Sequence, residues 1–122
     1  MELGLRGRRA FISGSSQGIG YAVASALAAE GVDVVINGRD EGRVDAAVGV
    51  LALAHREVTV SGIAADFTDP SQVARLTERL GDVDILVNNV GLFGLADFAD
   101  VADADWARYF EVNVMSGVRL SR

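Results

Sequence analysis

Between the short apolar run Ala10-Phe11-Ile12 and a helical repeat of apolar residues, the chain reads Ser13-Gly14-Ser15-Ser16-Gln17-Gly18-Ile19-Gly20. A strand that passes through closely spaced glycines straight into a helix commits the chain to an α/β arrangement. Gly14 can take a positive φ as the chain leaves the strand, and Gly18 removes a Cβ where backbone must approach an anion. Gly20 lets the helix pack close to the sheet. The unpaired N–H groups at the helix start, from about Ile19, then face a phosphate. Ser13, Ser15 and Ser16 add hydroxyls for phosphate or ribose oxygens. A plain glycine-serine turn is the alternative. The spacing is G-x-x-x-G-x-G, and no Gly-Lys-Ser/Thr follows to indicate a nucleoside-triphosphatase loop.

The rest of the chain repeats the alternation. Ile19, Ala22, Val23, Ala26 and Leu27 recur at helical spacing, and Gly31 closes that helix. Val32 to Ile36 reads as a second strand. Asp40 can cap a helix whose Val44, Ala47, Val48 and Leu51 share a face. Val58 to Ile63 is a softer third strand. Asp69-Pro70 is a strong helix start, with Val73, Leu76 and Leu80 as its stripe. Asp84 to Val87 is the fourth strand, and Asp103 or Ala104 opens a last helix carrying Trp106, Phe110 and Val114. These features predict a Rossmann-type, doubly wound parallel sheet of about four strands and four helices, ordered 3-2-1-4. The loops after Ser13 and after Val87 then flank the switch point, where open α/β sheets bind ligands.

Composition excludes several functions. The net charge is −6 and the basic residues are scattered, which argues against nucleic acid. No apolar run reaches the roughly 20 residues of a membrane span, and no signal peptide is expected before the first strand. With no cysteine and one histidine, His55, no metal site is expected, and a cytoplasmic setting is the economical choice.

The ordered motifs resemble the short-chain dehydrogenase/reductase family, with similarity to members of the 3-oxoacyl-acyl-carrier-protein reductase type. The family's T-G-x-x-x-G-[IL]-G appears as Ser13 through Gly20, with serine for threonine. Its Asn-Asn-Ala-Gly appears as Asn88-Asn89-Val90-Gly91, with valine for alanine. Asp66 falls where the family binds the adenine amino group, beside a Phe67 backbone able to meet the ring nitrogen. Asn113 falls at the family's helix-four asparagine. The resemblance implies that Ser13, Gly14, Ser15, Ser16, Gln17, Gly18, Ile19, Gly20, Arg39, Asp66, Phe67, Asn89, Val90 and Gly91 hold a nicotinamide dinucleotide. It also implies that Asn88 ties strand ends together and that Asn113 belongs to the catalytic network. Gly38 fills the acidic position of NAD-specific relatives and Arg39 follows, which favours NADP over NAD.

The serine and Tyr-x-x-x-Lys that the resemblance implies for hydride transfer have no counterpart here: all eleven basic residues are arginine. Residues 1–122 are therefore expected to be the N-terminal part of one dinucleotide-binding domain, lacking the catalytic C-terminal half. The implied parent reaction joins the cofactor to a small ketone or secondary alcohol, in a protein for which homo-oligomers are plausible. The alternative is a nucleotide-binding or structural half-domain without catalysis.

Overall fold

The computed structural model describes residues 4–89, 102–104, 107, 120 and 121. Its elements run β1 (Arg9–Ile12), α1 (Gly18–Ala29), β2 (Asp33–Gly38), α2 (Glu41–Ala54), β3 (Val60–Ala64), α3 (Pro70–Leu80) and β4 (Ile85–Val87). The strands form one parallel sheet in the order β3-β2-β1-β4, as the alternation predicted. Phe11 sits in register with Val35 on one side and with Leu86 on the other. Most of the expected fourth helix, with Trp106, Phe110 and Asn113, lies outside the described residues, as do Val90 and Gly91. Asp103 and Ala104, its expected first residues, are helical.

Strand alternation builds two apolar layers. Ala10, Ile12, Val34 and Ile36 face α1 and α2, where Ala24, Ala28, Val44, Ala47 and Leu51 bury against them. Phe11 and Val35 point the other way, onto Val73, Leu76 and Leu80 of α3. Each such fully buried aliphatic or aromatic side chain contributes about 1.5–3 kcal/mol, so these layers carry most of the stability. The two central strands are buried almost throughout, whereas β3 leaves Ser61 exposed at the sheet edge. That edge position explains the polar residues in the third strand.

The predicted stripes of α2 and α3 are the buried ones, but α1 differs. Its buried face is Gly20, Ala24 and Ala28, while Ile19, Ala22 and Ala26 are exposed. The helix is apolar nearly all round, so spacing alone could not choose its inner face. The sheet selected the smallest side chains, which let the helix approach it closely.

Capping separates the helices. Asp40 Oδ1 accepts from the Arg43 amide at 3.0 Å, and Asp69 Oδ1 accepts from the Ser71 amide at 2.9 Å. The Asp69 carboxyl also accepts from Ser71 Oγ at 2.7 Å and Gln72 Nε2 at 3.2 Å. The Ser71 hydroxyl, followed by Gln72, holds its pKa below the usual carboxylate range. A lowered folded-state pKa means that Asp69 stabilises the fold above the unfolded value of about 3.9, and that this contribution is lost as pH falls through the folded value. We expect Asp69→Asn to lower stability at neutral pH and to flatten its dependence on pH below about 4 in urea titrations. An unchanged acid limb would remove Asp69 from the account.

Candidate functional site

The carboxyl ends of β1 and β4 meet at the switch point, and hydrogen bonds fasten them. The Ser13 amide donates to the Val87 carbonyl at 3.1 Å, and the Ser13 hydroxyl accepts from the Asn89 amide at 2.9 Å. Asn89 Nδ2 donates to the Gly14 carbonyl at 3.0 Å. Above this floor the glycine loop turns back through Gly14 and Gly18, both at positive φ, +61° and +66°. At such angles an L side chain is strained, which is the local reason for glycine. Gly20 has a different reason: a Cβ there would lie 2.6 Å from Asn89 Nδ2 and 2.9 Å from Ser15 Cα.

The loop is also clamped from β2, by a residue that the sequence pattern did not single out. Asn37 is buried, and its Oδ1 accepts from the Gly14 amide at 3.0 Å while its Nδ2 donates to the Ile63 carbonyl at 2.9 Å. Its amide donates to Ser15 Oγ at 3.0 Å, and its carbonyl accepts from the Ser15 amide at 2.7 Å. One side chain thus joins the ends of β1, β2 and β3. The available signal was an asparagine inside Val34-Val35-Ile36-Asn37, since a buried amide in an apolar strand needs partners for its polar atoms.

One expectation changes. Ser13 and Ser15 are fully buried, and their hydroxyls are engaged within the fold, Ser15 Oγ donating to the Ile12 carbonyl at 2.6 Å. They shape the loop rather than present free hydroxyls to a phosphate. Of the three serines only Ser16 is partly exposed, with Gln17 and Gly18 exposed beside it. Among the described residues, the contact that ties the end of β4 to the β1 loop is made by Asn89. Asn88 is exposed and donates to Ser121 Oγ at 3.2 Å, whereas Asn89 holds the β1 loop. Successive residues leaving a strand point to opposite sides, and only the second of the pair faces β1.

The start of α1 has no side-chain cap and no acidic residue in its first turn. Its first N–H groups have no intrahelical acceptor, so they form a donor-rich end next to the preformed loop. Ile19 stands 77% exposed at this end. Asp66 lies past β3 with Oδ1 accepting from the Thr68 amide at 2.9 Å and from its hydroxyl at 2.7 Å. The Phe67 ring is buried in the α3-side core, which leaves its backbone as the part that can meet a ligand. Arg39 is exposed immediately after β2. Among the described residues no cluster of histidine and acidic side chains could hold a metal ion, and no helix is long and apolar enough to cross a membrane.

Residues 8–122 match the family model for the short chain dehydrogenase. The chain is 45% identical over 122 residues to the "Uncharacterized oxidoreductase YvaG" of Bacillus subtilis, covering all of this chain and 46% of that protein. It is 46% identical over 125 residues to the "Uncharacterized oxidoreductase YvrD" of the same organism, with the same coverage. Among solved structures, L-sorbose reductase from Gluconobacter frateurii, complexed with NADPH and L-sorbose, superposes with a TM-score of 0.95 at 37% identity. That match covers all of this chain and 48% of the reductase. The chain thus spans about half the length of the curated relatives it matches.

The clasp makes a stability prediction. Asn37→Ala leaves the Gly14 amide and the Ile63 carbonyl without their partners, and is expected to cost about 2–4 kcal/mol in urea unfolding of the full-length protein. A variant within about 0.5 kcal/mol of the parent would show that Asn37 does not hold the loop.

Proposed function

Because the chain belongs to the short-chain dehydrogenase/reductase family, we propose that its glycine loop and sheet switch point hold NADP(H) in a carbonyl reductase or alcohol dehydrogenase. The single observation that carries this reading is the uncapped start of α1 behind a loop already fixed by internal hydrogen bonds. The helices α2 and α3 close their own N-termini with Asp40 and Asp69, so the free donors of α1 lie where a pyrophosphate is needed. Gly18 fits that group: its positive φ turns the backbone, and no described atom lies within 4 Å of where its Cβ would stand.

In this reading the amides of Gly18, Ile19 and Gly20 meet the pyrophosphate. Ser16 and Gln17 border it, and exposed Ile19 gives the nicotinamide end an apolar contact. Asp66 and the Phe67 backbone receive the adenine. Ser13, Ser15 and Asn89 act by shaping the loop, and Val90 and Gly91 border the nicotinamide ribose. The bound cofactor supplies a hydride to, or accepts one from, the carbon of a small ketone or secondary alcohol. Asn113 takes the family's positioning role in the catalytic network. NADP is preferred because Gly38 brings no carboxylate to the end of β2 and Arg39 follows it with a cation. The NADPH complex of L-sorbose reductase supports the same choice. NAD remains the competing cofactor.

A second reading is nucleotide binding without turnover, which rests on the same fixed loop and uncapped helix start. The two are separated by following NADPH absorbance with a panel of small ketones. Oxidation supports the reductase; tight NADPH binding without oxidation of any ketone supports the binding module.

Two substitutions test the site. Gly18→Val is expected to weaken NAD+ and NADP+ alike, by about tenfold or more, because a β-branched residue resists the positive φ. Arg39→Ala is expected to weaken NADP+ by about tenfold and leave NAD+ within about twofold. Titration calorimetry reads both. Equal losses for the two cofactors in Arg39→Ala would reject its contact with the 2′-phosphate.

A further inference from the structure

The last two residues of β2 are fixed by two unrelated requirements. Asn37 serves the clasp: it is 1% exposed, its Oδ1 accepts from the Gly14 amide and its Nδ2 donates to the Ile63 carbonyl. Gly38 answers to space: a Cβ there would lie 2.8 Å from Ser16 Oγ, 3.2 Å from Ser16 Cβ and 3.1 Å from Val44 Cγ2. Together they set an asparagine directly before a glycine. Asparagine is a chemically labile residue, and it is most labile in this pairing. With no side chain on the following residue, that residue's backbone nitrogen reaches the asparagine Cγ unobstructed. The other asparagines, Asn88, Asn89 and Asn113, precede Asn89, Val90 and Val114.

The reaction needs only water and solvent base. The Gly38 backbone nitrogen loses its proton and attacks Asn37 Cγ. A nitrogen–Cγ bond forms, the Cγ–Nδ2 bond breaks, and Nδ2 takes up a proton and leaves as ammonia. Water then opens the cyclic imide. Opening between Cγ and the nitrogen yields aspartate; opening at the backbone carbonyl carbon yields isoaspartate, with an extra methylene in the main chain. Nothing is oxidised or reduced.

The folded strand opposes ring closure at both reacting groups. The Asn37 amide is held between the glycine loop and β3, and its own backbone is bonded to Ser15 on the β1 side. Gly38 stays in register with Ala64, its carbonyl accepting from the Ala65 amide at 3.0 Å. Bringing Cγ onto the Gly38 nitrogen breaks the side-chain bonds and turns the peptide out of this extended pairing. We infer that Asn37–Gly38 is a deamidation site held shut by the fold, whose reaction on opening of the β2 end permanently removes the clasp. An aspartate at position 37 sets a carboxylate oxygen against the Ile63 carbonyl, acceptor against acceptor, and no partner of the Asn37 side chain is a cation. Isoaspartate also displaces Gly38 from its place opposite Ala64. The inference is independent of the cofactor reading, since it concerns the chain's own chemistry.

The full-length protein is aged at mildly alkaline pH, in buffer and in urea beyond the unfolding midpoint. Peptide mapping by mass spectrometry follows amide loss at each asparagine. In urea, Asn37 is expected to convert about tenfold faster than Asn88, Asn89 or Asn113, and Gly38→Ala to remove most of that advantage. Gly38→Ala is read only in the unfolded chain, so its own folding does not enter. In buffer, Asn37 is expected to convert about a hundredfold more slowly than in urea, because the reaction waits for opening. Converted molecules, and Asn37→Asp as a stand-in for the first product, should unfold at lower urea than the parent. Equal rates in buffer and in urea overturn the inference, as does an Asn37 no faster than the other asparagines in urea. A converted protein with the parent's urea midpoint overturns it as well.

Discussion

The buried amide of Asn37 fixes the geometry on which the rest of the site depends. It receives the Gly14 N–H and reaches the Ile63 carbonyl, while its own backbone exchanges two hydrogen bonds with Ser15. Each neutral bond contributes only about 0.5–1.5 kcal/mol net, so the clasp is not the main source of stability. The two apolar layers on either side of the sheet supply that. What the clasp supplies is position: leaving any of its buried groups unmatched costs more than making the bond gains, so the loop has one good conformation. Ser13 and Asn89 repeat the device on the β4 side. The glycines turn without strain because they lack a Cβ, and Gly14 is held from both neighbouring strands.

Much of the architecture was legible in the sequence because β1 and β2 are apolar on both faces, as central strands of a covered sheet are, and because α3 carries one apolar stripe. Val73, Leu76 and Leu80 are separated by charged and polar residues, and that contrast determines the orientation of α3. α1 offered no such contrast. Its alanines surround the helix, and close packing on the sheet, a tertiary effect, chose Gly20, Ala24 and Ala28. The site divides in the same way. Glycine spacing announces a turn and an exposed helix start, since both are properties of the backbone. Whether a serine hydroxyl points to solvent or inward is decided by neighbours remote in sequence, as Ser13 with Val87 and Asn89 and Ser15 with Asn37 show. The exchange of roles between Asn88 and Asn89 has the same origin: one step along the chain reverses the side a residue faces.

The three complete helices also divide their termini. α2 and α3 each use an aspartate to satisfy a first-turn amide, which makes those ends self-sufficient. α1 has Gln17 at that place and no side-chain bond from it. A self-capped helix stabilises the fold, while an uncapped one beside a rigid loop keeps its donors for something else. The two arrangements occur on neighbouring helices of the same sheet face, so the distinction comes from one residue at each start and not from the fold.

The clasp is built wholly from neutral groups: serine hydroxyls, asparagine amides and backbone. None of these changes protonation across the physiological range. The single histidine, His55, sits at the C-terminal end of α2, the opposite end from Arg43. The shape of the loop is therefore indifferent to acidity. A phosphate monoester, by contrast, loses its second proton near a pKa of about 6. Were a phosphorylated nucleotide to bind here more tightly between pH 5 and 7, the proton responsible would be carried by the ligand, and the protein would act as a fixed gauge of the ligand's charge.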